Sequence, residues 1–274
     1  MTEPIVSVHN LSLESDRPIL TDVSVQLHRG KVLGIVGESG SGKTLLVKSI
    51  LGVLPDTVRK SAGSIEVFGE DTAGFDSKTW RSVWAHRIGA VFQDPGSYLN
   101  PSYSVLQHFE EFYSVTLRLP RAERRRRALD ALRSVNIRDA EKVLTRYRHE
   151  LSGGTLQRIV IALALARSPE ILIADEATTS LDVTVEAEVL DLISDLRDHS
   201  AMSIIVVSHD LSVVSRLADD VIVLRNGVVV EAGPTRSLLA ALRSDYLRLL
   251  IDSYTKYGID RVDGRVGFVA QAAG

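Results

Sequence analysis

The chain contains no cysteine among its 274 residues. Without thiolates it has no disulfide framework, no zinc ribbon, no iron–sulfur cluster and no thiol nucleophile. Long hydrophobic runs are missing too. IVIALALA at 159–166 falls well short of the roughly 18 apolar residues a membrane span needs. The N-terminal stretch MTEPIVSVHNL lacks the basic segment and apolar core of a signal peptide. Strong charge of one sign is also absent. The formal net charge of −3 gives no general pull toward nucleic acid. These absences make a cytoplasmic protein the default expectation. What is present, 45% hydrophobic and 24% charged residues, is the mixture of an ordinary globular chain, long enough for one large or two small domains.

The first ninety residues read as strands and turns with one helix among them. IVSVHNLSLES and VSVQL alternate like half-exposed antiparallel strands. VLGIVG at 32–37 is a continuous apolar run, the pattern of a strand buried on both faces, and SGKTLLVKSILGVL after it has helical periodicity. Residues 94–150 change to helix and polar loops broken at Pro95, Pro101 and Pro120. The second half then alternates: a helix after Gly154, strand ILIAD, helix VEAEVLDLISDLRD, strand SIIVVS, helix LSVVSRLA, strand DVIVL, and a hairpin turning at Asn226–Gly227. Buried strands alternating with helices predict a parallel sheet with crossover helices. The tail after Tyr254 reads as a glycine-punctuated, loosely packed extension.

GESGSGKT at 37–44 fits G-x-x-x-x-G-K-[ST] and stands between a buried strand and a helix, as that motif requires. Gly37, Gly40 and Gly42 let the backbone between them, through Glu38, Ser39 and Ser41, turn its N–H groups inward around anionic oxygens. The helix start adds its positive dipole end. Lys43 reaches the β- and γ-phosphates, and Thr44 offers a hydroxyl to Mg²⁺. This much predicts a bound nucleoside triphosphate and leaves kinase, GTPase and ATPase open. ILIADE at 171–176 ends a core strand in two carboxylates, which are costly there unless they meet a cation or hydrogen-bonding partners. Asp175 is the candidate holder of Mg²⁺ and Glu176 the candidate base that polarises the attacking water.

At 151–158 the chain reads LSGGTLQR, directly before the run IVIALALA. Ser152, Gly153 and Gly154 at a helix start form a second anion-binding element. Two such loops in one chain imply that a nucleotide is gripped by one loop from each of two subunits. Here the sequence resembles the ATP-binding subunits of ABC transporters. LSGGT differs in one letter from that family's LSGGQ and precedes ILIADE at the family's spacing. Gln93 in VFQDP matches the Q-loop glutamine, Asp182 in SLD the D-loop acid, and His209 in VVSHDL the switch histidine. The resemblance spans about residues 5–240. VFQDPGSYLNP, RGKVLGIVGESGSGK and VRKSAGSI are similar to the oligopeptide, dipeptide and nickel importer group, and residues 17–54 and LADDVIVL resemble most closely the first ATPase subunit of nickel importers.

The resemblance implies an α/β fold: a phosphate-loop NTPase of the ABC ATPase type, with a RecA-like core, an antiparallel β subdomain and an inserted helical subdomain. The core would comprise 1–93 and 155–240, the insertion 94–154, and 241–274 a C-terminal helix and tail. It implies Mg²⁺-dependent ATP hydrolysis with Thr44, Gln93 and Asp175 at the metal, Glu176 activating water, His209 steadying the γ-phosphate, and Ser152, Gly153, Gly154 and Asp182 at the two-subunit interface. The implied partners are a second ATPase subunit, two membrane permease subunits and, indirectly, an extracytoplasmic substrate-binding protein, with no nucleic acid. The implied place is the cytoplasmic face of the cell membrane. Non-transport ABC ATPases of DNA repair or translation remain a rival, but the chain carries no coiled coil, zinc module or second cassette. A GTPase would need an NKxD motif, which is missing.

Several departures and side features complete the reading. The family stacks adenine on an aromatic residue ahead of the phosphate loop, yet Phe68 is the first aromatic; either His9 or Arg17 substitutes or adenine is weakly held. Thr155 stands where the family has its signature glutamine, and Ala177 where proline follows the base. The arginine run in RAERRRRALDALRSV reads as a solvated helix face with Leu129, Leu132 and Val135 inward, in preference to a contact with anionic lipid headgroups or an acidic loop of a membrane partner. Residues 94–113, rich in Tyr and Phe, are the candidate docking surface for a membrane subunit. His86, His108, His149 and His199 show no metal-site spacing, so no nickel binding by this chain is expected.

Overall fold

The computed structural model describes residues 3–178, 182–199, 201–241, 246, 248, 259–262 and 265–268. In chain order the elements are β1 (Pro4–Glu14), β2 (Pro18–His28), β3 (Val32–Val36), α1 (Lys43–Ile50), β4 (Arg59–Val67), β5 (Glu70–Asp71), α2 (Ser77–His86), β6 (Ile88–Val91), α3 (Val105–Phe112), α4 (Arg121–Ser134), α5 (Ala140–Val143), α6 (Gly153–Leu165), β7 (Ile171–Asp175), α7 (Val183–His199), β8 (Ser203–Ser208), α8 (Leu211–Leu217), β9 (Asp220–Arg225), β10 (Val228–Pro234), α9 (Thr235–Ala241), β11 (Ile259–Val262) and β12 (Arg265–Phe268). The chain divides into two compact units, residues 1–73 with 206–274, and residues 74–205.

The first unit contains an antiparallel sheet in the order β2-β1-β4-β5. Alternation with a period of two puts Val23, Val25 and Leu27 of β2 inside, and Leu20 is inside as well because the strand's register shifts at Asp22, at φ 54°. In the same unit β9 runs parallel to β3 and antiparallel to β10. All five residues of β3 are buried, which accounts for its uninterrupted apolar run. Asp219 anchors the start of β3 by accepting the Val32 N–H at 2.9 Å and pairing with Lys31 at 3.2 Å.

In the second unit β6 and β7 pair in parallel from Ile88↔Ile171 to Val91↔Ala174. Helices surround them. Ser104 and Gln107 form a reciprocal capping box at the start of α3. Behind it Phe109 and Tyr113 are buried, and burial pushes the Tyr113 phenol up to about 12. On α4 the arginines face outward, Arg125 pairing with Glu141 and Arg127 with Glu123, while Leu129, Leu132 and the following Val135 are buried. The solvated-face reading of that helix is therefore what the fold displays.

Three expectations need correction. The first ninety residues hold a second helix, α2, capped by Asp76, whose side chain accepts the Thr79 N–H at 2.7 Å. Only Val83 of that helix is buried, so its apolar periodicity is too weak to read. The aromatics of 94–113 do not all face solvent: Phe109 and Tyr113 are core, and Tyr98 is the exposed one at 56%. Of the tail after Tyr254, the described residues pair as an antiparallel hairpin of β11 and β12 rather than a plain extension. Among the described residues no helix is long and apolar enough to cross a membrane.

Candidate nucleotide site

The first unit supplies the phosphate loop. β3 ends at Val36, residues 37–42 turn, and α1 begins at Lys43. Gly42 is the N-cap of α1 at φ 103°, a left-handed conformation, and a Cβ there would lie 2.5 Å from Leu20 Cδ2. Only glycine meets both conditions. Glu38, Ser39, Gly40 and Thr44 are exposed, whereas Gly37, Ser41 and Lys43 are buried. The Lys43 ammonium, on a residue 4% exposed, donates to the Gly37 carbonyl at 2.8 Å and the Glu38 carbonyl at 2.9 Å. Such partners are what a buried cation requires. Ser41 Oγ is buried without a hydrogen-bond partner among the described residues. A buried hydroxyl and an ammonium parked on carbonyls are donors held ready for an anionic oxygen, so the loop fits a phosphate chain.

The loop is braced from outside. The Gly227 N–H, at the tip of the β9–β10 hairpin, donates to the Ser41 carbonyl at 3.1 Å, and the Gly227 carbonyl accepts the Thr21 N–H at 2.8 Å. Tyr246 accepts the Glu38 N–H at 3.0 Å, and burial raises its phenol above the ordinary value, so it acts as a neutral acceptor. His209 belongs to the same unit and is exposed between β8 and α8. The turn around it is fixed by the Asp210 N–H on Ser208 Oγ at 2.9 Å and the Ser212 N–H on Asp210 Oδ1 at 2.7 Å.

The second unit carries the remaining candidates. Asp175 closes β7 and is 4% exposed; Glu176 follows at φ 50°, a strained value for a non-glycine residue. Gln93 is exposed two residues beyond β6. Its neighbour Phe92 stacks on Tyr98 at 5.6 Å, and Asp94 caps the next turn through the Gly96 N–H at 3.0 Å. Arg148 clamps that turn by donating to the Gly96 and Leu99 carbonyls. Burial, then the charges of Asp175 and Asp94, push the Tyr98 phenol up.

Ser152 caps α6, its Oγ accepting the Thr155 N–H at 3.3 Å and lying 2.9 Å from Thr155 Oγ1. Ser152 and Gly153 are exposed, and a Cβ on Gly154 would come within 2.4 Å of Val185 Cγ1. Asp182, exposed, holds the start of α7 by accepting the Val185 N–H at 3.1 Å. Ser180 and Leu181 of SLD lie outside the described residues. The predicted residues thus fall into two sets: the phosphate loop and His209 in one unit, and Gln93, Ser152, Gly153, Gly154, Asp175, Glu176 and Asp182 in the other.

A model of the ABC transporter family matches residues 20–179, more than half of the chain. The chain belongs to the ABC transporter family. A probable peptide ABC transporter ATP-binding protein of Sinorhizobium fredii, y4tR, is 41% identical over 90% of this chain and 74% of its own length. The peptidoglycan transport ATP-binding protein YejF of Agrobacterium fabrum is 39% identical over 93% of this chain, which spans only 48% of that relative. Among solved structures, the ATP-binding cassette MJ0796, a dimer in a post-hydrolysis state bound to ADP and phosphate, superposes with a TM-score of 0.74. It is 26% identical, over 84% of this chain and 98% of that one. The α/β fold is accordingly that of an ABC ATPase cassette. Two residues of this cassette escaped the sequence reading: Gly227, visible there only as a hairpin turn, and Tyr246, which carries no motif at all. Both act through backbone groups of the phosphate loop, and such contacts leave no side-chain pattern.

Proposed function

We propose that this chain is the ATP-hydrolysing subunit of an ABC importer, working in pairs at the cytoplasmic face of a membrane. The observation that carries the proposal is the buried Lys43 ammonium held on the loop's own carbonyls beside an unpartnered Ser41 hydroxyl. The loop N–H groups and Lys43 bind the β- and γ-phosphates of ATP. Thr44, Gln93 and Asp175 offer oxygen donors, the set a hard divalent cation prefers, and Mg²⁺ there would neutralise phosphate charge. Glu176 takes a proton from water as the water oxygen attacks the γ-phosphorus; the β–γ bridging oxygen leaves with ADP, and phosphate is released. His209 steadies the γ-phosphate. Ser152, Gly153 and Gly154, with Asp182 nearby, close the site of a partner subunit. The MJ0796 cassette, solved as a dimer after hydrolysis, supports this arrangement.

The cargo we propose is a peptide or peptide-like compound, following the names of y4tR and YejF. Those names favour it over nickel. Transport needs a permease, and the second unit offers a place for one. A cavity of about 280 Å³ is lined by Trp84, Tyr98, Leu99, Phe112, Leu163 and Arg167 among others. The Arg167 guanidinium lies 3.9 Å over the Phe112 ring, and burial lowers its pKa to about 10. Apolar walls with one half-buried cation suit a short amphipathic helix of a membrane subunit, with the substrate-binding protein acting only through that permease.

Glu176→Gln tests the chemistry. Turnover should fall by about a hundredfold or more, the scale of general-base removal, with ATP binding unchanged. Hydrolysis at the parent rate sinks the assignment of the base. Affinity capture of the full chain from detergent-solubilised membranes tests the partners, and it should recover a permease and a second ATPase subunit. Recovery of neither counts against the importer.

A further inference from the structure

The backbone N–H of Glu38 donates to the Tyr246 phenol oxygen at 3.0 Å. The same peptide unit carries the Gly37 carbonyl, which accepts from Lys43 Nζ at 2.8 Å. One planar group is therefore held at both ends, its oxygen on the lysine and its N–H on the tyrosine. Tyr246 is itself fixed in place. It is 4% exposed, and the Arg225 guanidinium lies 4.6 Å over its ring. Arg225 adjoins the Asn226–Gly227 turn whose N–H holds Ser41. The hairpin tip and Tyr246 thus brace the loop as one structure, entirely within the first unit.

We infer that Tyr246 is a positioning residue for nucleotide binding, acting through the Gly37–Glu38 peptide on Lys43. The inference rests on the loop's being the nucleotide site. An acceptor on the N–H polarises the peptide and strengthens its carbonyl as a partner for the ammonium. Without the hydroxyl, a part-buried N–H loses its partner, the peptide tilts, and Lys43 no longer waits where the phosphates arrive. The hydrolytic step itself does not pass through Tyr246, so its loss acts on binding rather than on turnover at saturation.

Tyr246→Phe isolates the effect, because the ring, its packing and its contact with Arg225 all remain. With the full chain, calorimetric titration with Mg-ATP and steady-state hydrolysis are measured side by side. Kd and KM for ATP should rise by about three- to tenfold, the range of one neutral hydrogen bond, while kcat stays within about twofold. Arg225→Ala, which frees the ring but keeps the hydroxyl, should weaken binding in the same direction by a smaller factor. Unchanged Kd in Tyr246→Phe overturns the inference, and so does a fall in melting temperature without a change in affinity, because either outcome gives Tyr246 a packing role alone. A parent chain that fails to bind Mg-ATP would instead overturn the proposed function.

Discussion

Glu176 concentrates the tension between function and stability at a single residue. Its φ of 50° places an L-residue in the left-handed region, at a cost on the order of 1–2 kcal/mol. Glycine adopts that conformation freely but loses more backbone entropy on folding, on the order of 0.5–1 kcal/mol. On these backbone terms alone the first quantity exceeds the second, so Glu176→Gly should lose no stability through the backbone while abolishing hydrolysis, and any shortfall measures the carboxylate's own contacts. Denaturant unfolding of both proteins, with turnover measured in parallel, checks this. A variant less stable by more than about 1 kcal/mol would mean that the carboxylate contributes to the fold, not only to the chemistry. Lys43 shows the complementary case, in which the functional group is also structurally satisfied: its ammonium is held by two carbonyls of its own loop.

Among the elements, the junction of α6 with α7 packs tightly beside a candidate functional loop. A Cβ at Gly154 would meet Val185 Cγ1 at 2.4 Å, and valine's branched carbon sits too near its backbone to swing clear. Gly154→Ala should therefore destabilise by about 1–3 kcal/mol, the usual cost of overpacking. Adding Val185→Ala should recover most of that loss, because it removes the colliding methyl. A double-mutant cycle read by denaturant unfolding measures the coupling, and strict additivity would show that the two residues do not meet. The same junction shows what the sequence could reveal. LSGG announced a helix start with exposed N–H groups, and Ser152 does cap α6. That the second glycine also serves packing against α7 depends on a contact thirty-one positions away, beyond the reach of any local pattern. β3 and β7 were legible because their burial is complete and their runs are bounded by glycine or acid, and α1 because its apolar residues follow a glycine turn with helical spacing. α2 was not, since it buries one residue and hides its tryptophans in a stack on its own surface. Tyr246 was not, since the group it holds is a backbone N–H.

For the molecule as a whole, the decisive part of the proposed function is that the phosphate loop and the Ser152–Gly154 loop both bind phosphate while one nucleotide takes only one of each. Two chains related by a twofold axis would each lend one loop to either site. Purified alone and at high concentration, two copies should pair in this way; the MJ0796 cassette, too, is dimeric. The prediction is tested by mixing two disabled chains. Lys43→Ala destroys the phosphate loop and leaves the second loop intact; Ser152→Asp keeps a capping acceptor at the start of α6, places a like charge where phosphate must approach and leaves the phosphate loop intact. Each variant alone should hydrolyse ATP at background. In an equal mixture half of the pairs are mixed, and each mixed pair holds one intact site of two, so activity should return to about a quarter of the parent rate at the same total concentration. If each chain instead held its nucleotide alone, Lys43→Ala would be dead, Ser152→Asp would keep its rate, and mixing would merely average the two. A mixture more active than the mean of its two variants measured separately requires that loops from different chains meet around one ATP.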